Sequence, residues 1–165
     1  MSHNVNGYIG PIDELQRLTT GLVHAKILHL DVDGLGFLPY THDLSDEIGK
    51  GWYGLGKKAQ KPIAHIETAY FGGAGEQSAA VWGNGVKTFM AKRSGAIDKA
   101  LGIIGVKCTP GNDEFDTVGL GNFRSNEEWA TNGLLADDDE KDRLEAIKIL
   151  DQMRESNARS NSEDV

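Results

Sequence analysis

The segment Tyr70-Phe71-Gly72-Gly73-Ala74-Gly75-Glu76-Gln77 is the most unusual stretch of the chain. Clustered glycines let backbone N–H groups approach a phosphate closely, but phosphate loops open a helix and continue into Lys-Ser/Thr, and neither holds here. Glu76 would also repel an anion. Two readings stay open. In one the segment is a hairpin loop whose glycines, Gly72 and Gly73 among them, supply positive φ. In the other it is a recognition loop: Tyr70 and Phe71 present large rigid surface, and Glu76 and Gln77 add polar contacts to a protein partner. A second cluster, Asn112-Asp113-Glu114-Phe115-Asp116, sets three acids within four residues. It does not fit a twelve-residue calcium loop. It reads as a solvated acidic turn, or as a contact surface in which Asp113, Glu114 and Asp116 meet a basic partner.

The remaining reactive side chains assemble into nothing by spacing. The five histidines form neither His-Glu-x-x-His nor His-x-x-Glu-His, and Cys108 has no cysteine to pair with. No zinc site, other metal site or cofactor is expected, and no internal disulfide. His29 and His65 fall inside apolar runs and read as packed polar side chains. Gly-x-Ser-x-Gly is absent, although a Ser-His-Asp triad needs no adjacency in sequence.

Asp31-Val32-Asp33-Gly34, at the end of an apolar stretch, resembles the first motif of haloacid-dehalogenase-like phosphatases. The resemblance implies a nucleophilic Asp31, an acid/base Asp33 and a Mg²⁺ ion that screens the phosphate, since a lone carboxylate is a poor nucleophile toward an anionic ester. Leu35 stands where that family has threonine. The family also needs a parallel sheet of alternating strands and helices, whereas residues 63–90 read as antiparallel. A phosphatase using Asp31 and Asp33 is therefore the alternative reading.

Charge narrows the partners. The net charge is −8, unevenly spread: residues 50–93 carry seven bases against Glu67 and Glu76, and acids dominate the rest. An acidic chain repels nucleic acid and anionic lipid at long range. The basic stretch lacks the arginines and interleaved aromatics of a nucleic-acid reader, so its lysines read as guards of a sheet edge. No apolar run is long enough to span a bilayer, and Met1–Asn4 has neither the basic start nor the apolar core of a secretory signal. With a single cysteine, the expectation is a reducing cytosol.

The elements that must position these residues follow from periodicity. Pro11 starts a helix whose Leu15, Leu18 and Leu22 share a face. Residues 25–31 read as a strand broken by Asp33–Gly36, and Thr41 caps a short helix that stops near Gly49. Residues 49–61, rich in glycine and lysine, read as an exposed connection. Residues 63–90 predict a three-stranded antiparallel meander with an Asn84-Gly85 hairpin. Ser94 caps a helix that ends at Gly105, residues 108–123 are turn-rich, and Ser125 opens a capping-box helix. Leu144, Ile147, Leu150 and Met153 stripe a last helix over 138–154.

Together these give an α+β fold, an antiparallel sheet of three to five strands with helices packed on one face. One domain spans 1–155, followed by a frayed acidic tail over 156–165. The Tyr-Phe-Gly-Gly-x-Gly-Glu-Gln loop, the helix ending Ile104-Gly105-Val106-Lys107 and the Asp-Glu-Phe-Asp turn look like those of small bacterial proteins. Size, acidity and layout are similar to immunity proteins that neutralise bacterial toxins. That similarity implies a non-catalytic cytosolic inhibitor binding a basic toxin domain, and transfers no residue roles.

Overall fold

In the computed structural model the described residues are 2–71, 74–136, 149 and 152–154. They build an α+β fold around a six-stranded sheet in the order β2-β3-β1-β4-β5-β6, every adjacent pair antiparallel. The strands are β1 (Asn6–Pro11), β2 (Leu28–His29), β3 (Leu35–Pro39), β4 (Ile63–Phe71), β5 (Ala74–Gly83) and β6 (Val86–Lys92). The meander anticipated over 63–90 is β4–β5–β6. Its last turn uses Asn84 at φ 50° and Gly85 at φ 76°, the paired positive values a tight hairpin requires.

The sheet's centre is β1, which the sequence pattern does not announce. Asn-Gly-Tyr-Ile-Gly-Pro has two glycines and a terminal proline, all poor strand formers. The glycines are there for space: a Cβ on Gly7 would run into the Phe37 ring, and one on Gly10 would lie 2.6 Å from Ile63 Cγ2. Around residues 25–37 the strand assignment also shifts. Only Leu28–His29 of the expected first run is strand; Asp31–Gly34 is the turn, and β3 starts immediately after it at Leu35.

Alternation along β1 sends Tyr8 and Ile9 to opposite faces. On the Ile9 side, Phe37, Ala64, Ile66, Ala79 and Val81 pack against α4 (Ala96–Ile103), α5 (Glu114–Val118) and α6 (Asn126–Asn132), with Trp129 edge-on to Phe37. On the Tyr8 side lie α1 (Ile12–Leu18), α2 (His42–Ile48), a 3₁₀ segment over Gly49–Gly54 and α3 (Leu55–Lys58). Thr41 caps α2 by accepting from Leu44 N–H, as its position predicts.

Residues 49–61 are not the exposed connection that glycine and lysine suggest. Trp52 is fully buried, with Leu55 and Ala59 beside it. Its ring stacks on Tyr40 at 4.2 Å and meets Tyr8 edge-on at 4.7 Å, and the Tyr8 hydroxyl donates to the Trp52 carbonyl at 2.8 Å. Glu14 and Arg17 of α1 clamp the far end: the buried Glu14 carboxylate pairs with Arg17 and accepts from Gln60 N–H, while Arg17 donates to the Lys58 carbonyl. A single aromatic anchor thus outweighs a polar composition, because one buried tryptophan contributes more than several exposed lysines cost.

Two helix starts also differ from expectation. α4 is capped by Gly95 at φ 82° with no side-chain bond, so Ser94 is not its cap, whereas Gly105 at φ 104° closes it as predicted. The acidic run 113–116 is α5: Asp113 accepts from Asp116 N–H, and Glu114 and Asp116 sit in the first turn, where the helix dipole favours them. Ser125 caps α6 through Glu128 N–H.

Residues 1–135 form one compact unit. Residues 136–165 form a second, of which Ile149 and Gln152–Arg154 are helical. The rest of the helix expected over 138–154 and the tail over 156–165 lie outside the described residues.

Trp52→Ala should cost about 3–5 kcal/mol in urea unfolding, the range for truncating a buried large aromatic. A loss below about 1 kcal/mol would show that residues 49–61 are not core. His65, packed 4.9 Å from Tyr8, is pushed down by burial from 6.5 to about 4. The fold therefore prefers neutral His65: this contribution is complete above pH 6.5 and is lost as pH falls toward 4, on the order of 3 kcal/mol in all. In a long-range ¹H–¹⁵N titration the His65 ring should turn over near pH 4, and a midpoint near 6.5 would contradict the burial account.

Candidate functional site

The two clusters singled out in the sequence meet on the first turn of α4. From the hairpin side, Gln77 Nε2 donates to the Tyr70 hydroxyl at 2.7 Å, and Gln77 Oε1 accepts from Ile97 N–H at 2.9 Å. From the other side, the carboxylate of Asp98, the next residue, accepts from Phe115 N–H of α5 at 2.9 Å. Gly95 leaves no side chain at the helix start, and helix α4 is thereby tied to both.

Asp98, Lys99, Gly95, Gly102, Ile103 and Glu114 line a surface groove of about 520 Å³ between α4 and α5. Burial pushes the Asp98 carboxyl above the usual carboxylate range, and repulsion from Asp113, Glu114 and Asp116 adds to it; the Phe115 N–H bond opposes the rise. Ile103 supplies an exposed apolar wall. The groove thus sets Asp98 and Glu114 against Lys99 beside an apolar wall, with Asp113 and Asp116 close enough to act on Asp98. Cys108 lies beside it: desolvation and then Glu114 raise its thiol, which keeps it from acting as a thiolate.

The hairpin tip divides into structural and exposed parts. Tyr70 is half-buried and its backbone exchanges two hydrogen bonds with His3, so Tyr70 and Gln77 hold the hairpin onto the body. Phe71, 65% exposed, and Glu76, exposed and paired with Lys92 at 3.1 Å, remain available for contact. Gly72 and Gly73 lie outside the described residues. Glu76, Lys92, Arg93 and Ser94 border a cleft of about 230 Å³.

Asp31 and Asp33 occupy the turn between β2 and β3, closed by Leu30 N–H to the Leu35 carbonyl. The antiparallel hairpin there differs from the parallel strand exit the phosphatase resemblance implies. Asp31 is exposed and accepts from Asn122 Nδ2 at 3.3 Å. Among the described residues no group of three His, Cys, Asp or Glu side chains is placed to hold a metal ion.

Asp98 is the functional candidate that sequence reading missed. It follows Ile97 on an amphipathic helix and reads there as an ordinary solvent-face acid; only the packing of α5 on α4 brings it to the acidic run. Since folding raises Asp98, the protonated form is the one the fold favours. Its stabilising effect is complete below the ordinary value of 3.8 and is lost as pH rises through the raised one. Asp98→Asn, which keeps an oxygen for Phe115 N–H, should therefore raise stability at neutral pH and leave it unchanged in strong acid. Urea unfolding at both conditions checks this; equal effects at the two would rule out the electrostatic cause.

No family model, curated protein or solved structure matches the chain, so its functional reading rests on this geometry.

Proposed function

We propose that this chain is a non-catalytic cytosolic binding protein, an immunity-type inhibitor that captures a basic toxin domain in the acidic groove between α4 and α5. The observation that carries the reading is the hydrogen bond from Phe115 N–H to Asp98, which sets the α5 acids Asp113, Glu114 and Asp116 close enough to repel the Asp98 carboxylate. A lysine- or arginine-rich partner relieves that repulsion on binding, so complementarity adds to the attraction of a chain with net charge −8. Ile103 in the groove, and Phe71 at the hairpin tip, give apolar contact area next to the charge. A cytosolic location agrees with a single, exposed cysteine. Among the described residues no helix is long and apolar enough to cross a membrane.

The test is affinity capture of the partner from the source cells, then stopped-flow association of the purified pair across ionic strength. The double variant Glu114→Gln/Asp116→Asn spares the Asp113 cap. It should slow association about tenfold at low salt and much less at high salt, because exposed charges act mainly on encounter. An association rate indifferent both to salt and to the double variant would reject the acidic groove as the docking surface.

A further inference from the structure

On the sheet face opposite α4, helices cover only the half near Tyr8 and Trp52. The other half carries a polar row set by register: Asn6 opposite Glu67, Glu67 opposite Ser78, and Ser78 opposite Lys92. Four successive strands thus place four polar side chains side by side on one surface. Asn6, Glu67, Ala69, Glu76, Ser78 and Lys92 border a groove there of about 180 Å³.

The hydrogen bonds in this row run in one direction. His65 Nε2–H donates to Asn6 Oδ1 at 2.8 Å, and Asn6 Nδ2–H donates to Glu67 Oε1 at 3.3 Å. Asn6 therefore holds the Glu67 carboxylate in place through one of its oxygens. Glu67 Oε2 and the Ser78 hydroxyl have no hydrogen-bond partner among the described residues. The charges are not balanced either. Glu76 is neutralised by Lys92 at 3.1 Å. The nearest cation-forming group to Glu67 is His65, 3.9 Å away, and burial keeps that ring neutral at ordinary pH. One uncompensated carboxylate thus stands beside a hydroxyl in a small groove.

We propose that this groove binds a primary ammonium group, held by Glu67 and Ser78. A guanidinium forks onto both carboxylate oxygens and would compete with the Asn6 amide at Glu67 Oε1, whereas an ammonium needs only Oε2. A calcium ion needs six to eight oxygen ligands, more than remain here once Glu76 is engaged by Lys92. A neutral polyol would leave the Glu67 charge unbalanced. An ammonium group brings three donors and one positive charge; Glu67 Oε2 and the Ser78 hydroxyl accept two of the donors, and the third faces solvent. Lys92 shows the chemistry on Glu76 and is also the competitor: its own ammonium lies at the rim of the same groove.

The probe is n-butylammonium, titrated into the full chain while amide resonances of residues 66–69 and 76–79 are followed by ¹H–¹⁵N NMR. A saturating shift confined to those residues is expected. Glu67→Gln should weaken binding about tenfold or more, and Ser78→Ala about threefold. Lys92→Gln should strengthen it about threefold, by removing the competing cation. Asp46→Asn, exposed on α2 and outside the groove, should leave it unchanged. If Glu67→Gln does not fold, the opposed effects of Ser78→Ala and Lys92→Gln decide. A second arm replaces butylammonium by Ala-Ala-Lys-Ala-Ala with blocked ends. Tighter binding of the peptide assigns the group to a protein lysine, and tighter binding of the free amine to a small-molecule amine. Shifts that never saturate, or that fall equally in Asp46→Asn, would overturn the proposal.

Discussion

The structure depends on the antiparallel pairing of β1 with β3 on one side and β4 on the other. A strand with neighbours on both edges satisfies its backbone donors and acceptors internally, which a buried strand must do. Its two-residue period then assigns Ile9 to one core and Tyr8 to the other. The α4–α6 layer is built on the first face, and the Trp52 segment on the second. Moving β1 by one residue would exchange these side chains and lose both layers at once.

That frame explains why the two polar surfaces lie where they do. Helix α4 packs over β5 by its apolar stripe, so Asp98 is left at the margin, where α5 brings its own acids. The opposite face is covered only as far as the aromatic group of Tyr8, Tyr40, Trp52 and His65 extends. Beyond that group the side chains become Asn6, Glu67, Ser78 and Lys92. The transition takes two residues along β4, from the largely covered His65 to the half-exposed Glu67. One surface concentrates like charges contributed by separate helices; the other holds a single carboxylate oriented by a hydrogen-bonded neighbour.

Within the acidic groove, local and tertiary roles overlap. Asp113 is both a helix cap and a source of the field on Asp98. Glu114 borders the groove and also raises the Cys108 thiol. The same division holds at the hairpin, where Tyr70 and Gln77 fasten the loop and Phe71 and Glu76 face outward. The residues of one unusual run of sequence thus separate into those that hold the fold and those that stay exposed.

What the sequence determined by itself is local. The Asn84-Gly85 turn, the alternating runs of β4–β6, the Thr41 and Ser125 caps and the Gly105 stop all act over three to five residues, within the reach of a propensity or a side-chain-to-backbone bond. The tertiary structure decided everything that needs a distant neighbour. Glycine-rich β1 became the central strand because Phe37 and Ile63 fill the space a side chain would take. Lysine-rich 49–61 became core because Tyr8 and Tyr40 receive Trp52. Asp98 joined the acids of α5, and Asn6 joined His65 and Glu67, only through packing and strand register. Their sequence separations, up to 61 residues, lie far beyond any periodicity, and burial and cross-strand pairing are the forces that close them.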